Sequence, residues 1–395
     1  MRILVGLLFL VPLIAKANVY EVGLSSHYNT NTFYTDEDAE GDMIVSVSPY
    51  AFLGEGDIDT GGNFLKFEGS YHKFATFAIQ DNFEYDFLGQ WTPFYTPRLF
   101  KWQIYALSNY GSDPAVDIDS ERRARASYGG GTKLTIGLSD TSSIVASGQY
   151  KIENQLDDFY EHLNNYQADG SLYYHYWFLP ETAISFGVEG GLKTYPNGDT
   201  SDSELNYTTK QSSVYVYPFA SIEGRLGPST AAFAKGGYLM RDYAADPVDG
   251  QNIDFNEPIF QIKFEEQISP RDVLSAGFNY EVLDSYYTNY LINQTIFLGY
   301  GRILGDRILF LTRMGYSSLS YSKPSDREDQ RVFGKFAMEY SLTKKIKILG
   351  DMTVDILNSD ARNNEFTNGG TDTDVDDPAM SYQSFEVGIT GKYVF

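Results

Sequence analysis

Apolar and polar side chains alternate residue by residue along most of this chain, and the last stretch, Ser381 to Phe395, shows the pattern in full. Phe385, Val387, Ile389, Gly391, Tyr393 and Phe395 share one parity, while Glu386, Gly388, Thr390 and Lys392 share the other. A strand turns successive side chains to opposite faces, so one face of this segment suits lipid and the other suits water. The same grammar begins at Asn18. Tyr20, Val22, Leu24, Ser26 and Tyr28 oppose Glu21, Ser25, His27 and Asn29, and a return strand sets Val45, Val47, Pro49, Ala51 and Leu53 against Ser46, Ser48 and Tyr50.

Between these ends the pattern predicts strands near 63–76, 82–92, 98–110, 122–138, 142–156, 165–178, 182–196, 210–226, 229–243, 256–268, 272–284, 289–303, 307–321, 331–342, 345–357 and 381–395. With the first two that makes about eighteen, or sixteen if the 82–110 region is read otherwise. An even number lets a single chain close with both termini on one side, and closure removes the edges that lipid cannot satisfy. The predicted fold is therefore all-β, a transmembrane antiparallel barrel spanning 18–395 as one unit with no plug domain.

The connections fall into two alternating classes. One is short: Leu138-Ser139-Asp140-Thr141, Leu179-Pro180-Glu181-Thr182, Leu226-Gly227-Pro228-Ser229, Ile268-Ser269-Pro270-Arg271, Leu304-Gly305-Asp306-Arg307 and Leu342-Thr343-Lys344-Lys345. The other is longer and acidic, including Asp36 to Asp42, Tyr110 to Glu121, Leu156 to Asn164, Asn197 to Thr208, Ala244 to Glu257, Ser322 to Asp329 and Asn358 to Pro378. Short periplasmic turns and long outer loops are the rule for outer-membrane barrels, which places both termini in the periplasm and the acidic loops outside.

Composition agrees with this picture. Tyr 32, Phe 27 and Gly 36 with Cys 0 suit a barrel with aromatic girdles and a polar lumen, and the mean hydropathy of -0.32 is low for the same reason. A formal charge of -23 argues against nucleic acid as a partner. Met1 to Ala17, with Arg2, an apolar run from Ile3 to Ile14 and a small-x-small ending at Ala15-Lys16-Ala17, predicts a signal peptide for export. The expected location is the outer membrane of a Gram-negative bacterium, with outer-membrane lipid and lipopolysaccharide as surroundings.

The terminal Phe395, preceded by aromatic or apolar residues at alternate positions, resembles the signal that the barrel assembly machinery reads in bacterial outer-membrane proteins. The hairpins joined by aliphatic-led tight turns, together with that terminal residue, resemble the outer-membrane β-barrel porins found with exopolysaccharide biosynthesis systems. The resemblance covers nearly the whole mature chain. It implies a role as exit port for an exopolysaccharide, with a periplasmic export protein as partner, and it carries over no individual functional residue.

Candidate chemistry lies in the lumen rather than in a catalytic motif. His27, His72, His162 and His175 form no close ligand or triad spacing, and Asp372 to Asp377 lacks the glycine and distal Glu of a calcium loop. No catalytic residue, cofactor or tightly bound metal is expected. On the lumen parity lie charges of both signs, among them Arg123, Arg125, Lys133, Glu189, Lys193, Glu223, Arg225, Lys235, Arg313, Glu339 and Asp351. A mixed wall points to neutral or weakly charged solutes, or to ion pairs that stiffen the barrel. Tyr173, Trp177, Tyr215, Tyr217 and Phe219 share that parity, so sugar rings could stack on them; girdle residues displaced by one register step are the alternative. Three cargo readings follow: a polysaccharide exit port, a diffusion porin for small solutes, and a surface receptor or adhesin barrel. A diffusion porin should carry one long inward loop, whereas the long acidic segments look outward.

Overall fold

The computed structural model describes residues 18–31, 41–57, 61–96, 99–113, 123–156, 161, 163–197, 211–244, 254–285, 290–322, 327–359 and 381–395. The expected signal peptide, the acidic run Asp372 to Asp377, most of the long connections, His162 and the side chain of Arg123 lie outside these.

The described chain forms a closed antiparallel β-barrel of eighteen strands. They are β1 (Asn18–Asn29), β2 (Asp42–Asp57), β3 (Gly61–Phe74), β4 (Asn82–Thr96), β5 (Phe100–Asp113), β6 (Arg123–Ser139), β7 (Ser142–Gln155), β8 (Asn165–Leu179) and β9 (Thr182–Thr194). The second half runs β10 (Ser213–Arg225), β11 (Thr230–Tyr243), β12 (Phe255–Ser269), β13 (Asp272–Asp284), β14 (Tyr290–Leu304), β15 (Ile308–Tyr321), β16 (Glu328–Ser341), β17 (Ile346–Ser359) and β18 (Tyr382–Val394). Each strand pairs with its neighbours in sequence, and β1 pairs with β18 from Glu21↔Val394 to Asn29↔Glu386. Among the described residues no separate domain plugs the lumen.

Strand lengths run from 12 residues in β1 to 17 in β6. A tilted strand needs only about 9–11 residues to cross the hydrocarbon layer, so the surplus projects past it. The predicted outward parity is exposed along the closing strands: Leu24 is 60% exposed, Val387 56% and Ile389 59%. For a barrel these are the values of side chains built to face lipid. Aromatic side chains mark both ends of that band. Phe94 and Trp102 stack at 5.9 Å near the short turns, and Phe83, Tyr85 and Tyr110 stack in a row near the opposite rim.

The short turns explain their own sequences. In β6–β7, β8–β9 and β12–β13 the register shifts just before the turn, leaving Leu138, Phe178 and Ile268 without a partner. All three bulged side chains are exposed, so the bulge sends an extra apolar group outward. The hydroxyls of Ser139, Ser269 and Thr343 accept from the backbone N–H two residues on, which closes these turns locally.

At the far rim three acidic residues expected in loops are structural. Asp42 is buried at the start of β2, where its carboxylate accepts the N–H groups of Met43, Thr76 and Phe77. Glu328 and Asp329 belong to β16. Asp329 is fully buried against Arg327 (2.6 Å) and accepts from the Tyr321 hydroxyl. Backbone donors and one guanidinium thus draw the Asp42 and Asp329 carboxylates out of the solvated class in which charge alone places them.

Two expectations follow. The chain has no cysteine, so single Ser48→Cys and Ser70→Cys variants, at partly exposed positions on the lumen wall, should react in proteoliposomes with a hydrophilic, membrane-impermeant maleimide while Val47→Cys should not. Beyond the rim, the Lys73 ammonium 2.5 Å from Asp81 Oδ2, with the Phe74 N–H on Oδ1, holds the Asp81 carboxyl below its ordinary value. A depressed pKa contributes stability that is present above about pH 4 and lost as pH falls through the lowered value. Amide protection factors at residues 74–81, taken relative to the intrinsic exchange rate at each pH, should therefore fall on acidification below about pH 4 and stay level above it.

Candidate functional site

The lumen has two unlike halves. On one side, the inner faces of β8 to β12 carry a continuous aromatic wall. Trp177 meets His175 edge-on at 4.2 Å, Tyr173 meets Phe219 at 6.1 Å, and Phe219 stacks on Tyr217 at 5.8 Å. Lys235 stands 4.4 Å over the Phe219 ring and donates to Glu189 at 2.7 Å. Tyr215 donates to Asp169 at 2.8 Å. Gly237 makes this packing possible, because a Cβ there would come 2.7 Å from the Tyr217 ring.

All five aromatic residues predicted to face inward do so, but they are not equally accessible. Tyr217 and Phe219 are buried in a cluster with Leu239 and Phe255, while Tyr173, Trp177 and Tyr215 remain partly exposed. The cover over that cluster comes from β13 and β14. The β12–β13 ladder ends at Phe260↔Tyr280, although β12 continues back to Phe255 and β13 on to Asp284. Pro258, which has no N–H to give, lies just beyond the last pair.

Above this point Val282, Asp284, Tyr290 and Ile292, all on the outward parity of their hairpin, touch the inward face of the neighbouring wall. Val282, Tyr290 and Ile292 pack on the buried cluster, Tyr290 stacks on Tyr243 at 5.8 Å, and Asp284 receives Lys193 together with Arg241 at 3.3 Å. The end of the β13–β14 hairpin therefore laps inside β9 to β12. This inward element is a hairpin end with a short connection; the long acidic loops, expected to look outward, lie largely outside the described residues. Asp284 on the lipid parity is the signal in the sequence that could have marked it.

The other half of the lumen is open. A cavity of about 1160 Å³ follows the inner wall from β16 round through β18 and β1 to β5, from Val19 and Lys392 near the termini to Asn29 and Phe74 at the far rim. Its lining is rich in hydroxyl and imidazole groups: Ser46 bonds His72 at 2.7 Å and Ser48 bonds Ser70 at 3.0 Å. Within the barrel the charges are largely neutralised at short range. Lys66 pairs with Glu68, Lys151 with Glu153, Lys263 with Glu265 and Lys347 with Glu339, at 2.7–3.3 Å. Arg331, absent from the predicted charges, grips Asp355 through two bonds. Arg313 lies 4.0 Å over the Phe297 ring, and Arg225 reaches Glu181 at 3.4 Å. Lys133 and Arg125 share one parity on β6, and Glu223 shares that of Tyr217 and Phe219 on β10.

Asp351, predicted as one of many lumen charges, stands beside two residues from strands at opposite ends of the chain, His27 and Glu386. The β17–β18 ladder sets Asp351 near Glu386, and only the β1–β18 closure brings in His27 from more than three hundred positions away, so no local motif marks the group.

No family model matches the chain, and no curated protein matches it. Its fold is that of an outer-membrane porin barrel. It is similar to OccAB3 of Acinetobacter baumannii, with a TM-score of 0.50 at 10% identity over 96% of this chain and 99% of that one. It is similar to OccK2 (OpdF) of Pseudomonas aeruginosa, with 0.50 at 10% identity over 96% and 98%. The apoprotein form of the FrpB iron transporter from Neisseria meningitidis gives 0.52 at 8% identity over 98% and 82%. At such identities the likeness is one of architecture.

Asp284→Ala should free both Lys193 and Arg241 and loosen the lapped hairpin. In planar bilayers the variant should show higher and noisier single-channel conductance than the parent; an unchanged trace would mean that the lap does not limit the passage.

Proposed function

We propose that the chain is an outer-membrane channel for neutral, hydroxyl-rich solutes of the saccharide class, with its termini and short turns in the periplasm. The observation that carries this reading is the polar cavity that follows the inner wall on the side away from the lapped hairpin. Its serines and histidines offer exchangeable hydrogen bonds that suit a polar, uncharged solute, while its charged lining, Glu21, Glu68, Glu84, Asp351 and Glu386 against Lys335 and Lys392, leans acidic and disfavours anions. Tyr173 and Trp177, partly exposed on the opposite wall, could add apolar faces for sugar rings.

Exopolysaccharide export is the finer form of this proposal. It is supported by the resemblance of the hairpin pattern and terminal Phe395 to porins of exopolysaccharide systems, and it would make a periplasmic export protein the partner at the short turns. Diffusion of small solutes is the second reading, favoured by the lapped hairpin, which narrows one side of the mouth as a constriction element does.

Deletion of the gene should leave polymer inside the cell while uptake of small sugars stays normal. Normal secretion with slowed sugar uptake would assign the diffusion reading instead. Proteoliposomes that fail to swell in any neutral sugar, and that conduct no ions, would sink the channel reading altogether.

A further inference from the structure

The cavity wall holds a group of donors that passage of a neutral solute does not require. In the β1–β18–β17 register His27 lies opposite Gly388 and Gly388 opposite Asp351, so His27 and Asp351 flank a position without a side chain. Glu386 faces the same space from two residues along β18. His27 Nδ1 is 3.1 Å from Glu386 Oε1 and 3.8 Å from Asp351 Oδ2, and donor atoms of all three residues lie within 4.8 Å of one another. That Nδ1 is sealed from water and aligned for a hydrogen bond with neither carboxylate. A Cβ at position 388 would stand 2.0 Å from it, so glycine is what lets the imidazole turn toward the two acids.

We propose that His27, Asp351 and Glu386 form a binding site for a divalent transition-metal ion of the zinc type, open on its remaining side to the cavity. Metal bonds of about 2.1 Å set neighbouring donors about 3.0–3.4 Å apart, so His27 and Glu386 are already at ligand spacing, while Asp351 must draw in from 3.8 Å to the imidazole nitrogen and from within 4.8 Å of Glu386. The chemistry selects the ion. One imidazole with two carboxylates suits zinc, cobalt, nickel or manganese, whereas calcium and magnesium prefer shells of oxygen alone. Two carboxylates also balance a dication, although Lys335 on the same cavity wall would compete for them. The proposal runs against the expectation from residue spacing that no tightly held metal is present, and it stands on side-chain geometry whichever solute passes.

The test uses the full chain in detergent, stripped with chelator and titrated with ZnCl2 by calorimetry, with Co2+ as a spectroscopic probe. One Zn2+ per chain and a visible Co2+ band are expected, with calcium in large excess failing to displace either ion. His27→Gln should weaken Zn2+ binding roughly tenfold or more, and Asp351→Asn with Glu386→Gln should abolish it. Gly388→Ala keeps all three ligands but displaces the ring, and should also lose the Co2+ band; heat-modifiable gel mobility verifies that each variant is folded. Undiminished binding when His27→Gln, Asp351→Asn and Glu386→Gln are combined would place the ion on the acidic loops and overturn the proposal. So would displacement by calcium, or the absence of any Zn2+ binding by the parent chain.

Discussion

The constraint on which the rest of this structure depends is that backbone N–H and C=O groups within lipid must be paired inside the protein, because no water is there to satisfy them. A sheet meets that demand only by closing, and here closure is the β1–β18 ladder, with the Phe395 N–H adding a last bond to the Tyr20 carbonyl at 3.0 Å. Once that ladder is set, register is no longer free. A slip of one residue in β18 would turn Glu386 and Lys392 into lipid and Val387 and Ile389 into the lumen, so the burial preferences of both faces hold one alignment. The side-chain geometry of the cavity, including the approach of His27 to Glu386 across Gly388, is inherited from that alignment.

The β12–β13 ladder stops short of the far rim, and that departure shapes the lumen. Where β12 and β13 part, beyond Phe260↔Tyr280, both strands have already run most of their length and are nearing the far rim. The hairpin that moves inward exchanges lost ladder bonds for apolar burial of Val282, Tyr290 and Ile292 on an aromatic floor, and for two cations on Asp284. The Tyr280 hydroxyl bridges the gap to Glu257 at 2.8 Å. One half of the inner wall thereby becomes a packed core while the other keeps its water-accessible polar lining.

Charge is handled differently in each region. Inside, opposite charges two residues apart on the same strand, such as Lys66 and Glu68, cancel locally; partly exposed pairs of this kind contribute only about 0–1 kcal/mol each, so their effect lies in flattening the field rather than in holding the barrel. At the rim the geometry is tighter. Arg327, stacked 4.6 Å over the Tyr321 ring and paired with a fully buried Asp329, is desolvated with its partner, and loss of either would strand a buried charge.

What the sequence determined by itself was everything that depends on period and parity. Alternation along each strand, aliphatic residues ahead of tight turns and aromatic residues at strand ends specify a closed antiparallel barrel, its eighteen strands and the face each residue takes, because a strand's side-chain period is two wherever it sits. Tyr173, Trp177, Tyr215, Tyr217 and Phe219 were legible as inward residues for that reason. Their accessibility was not, since the cover over Tyr217 and Phe219 comes from a hairpin far along the chain whose own residues carry the lipid parity. Asp42 and Asp329 likewise read as loop acids until the backbone amides of Thr76 and Phe77 and the Arg327 guanidinium are placed around them. The His27, Asp351 and Glu386 group belongs wholly to the tertiary structure: local pattern fixes which way a side chain points, but only closure decides which distant strand stands beside it.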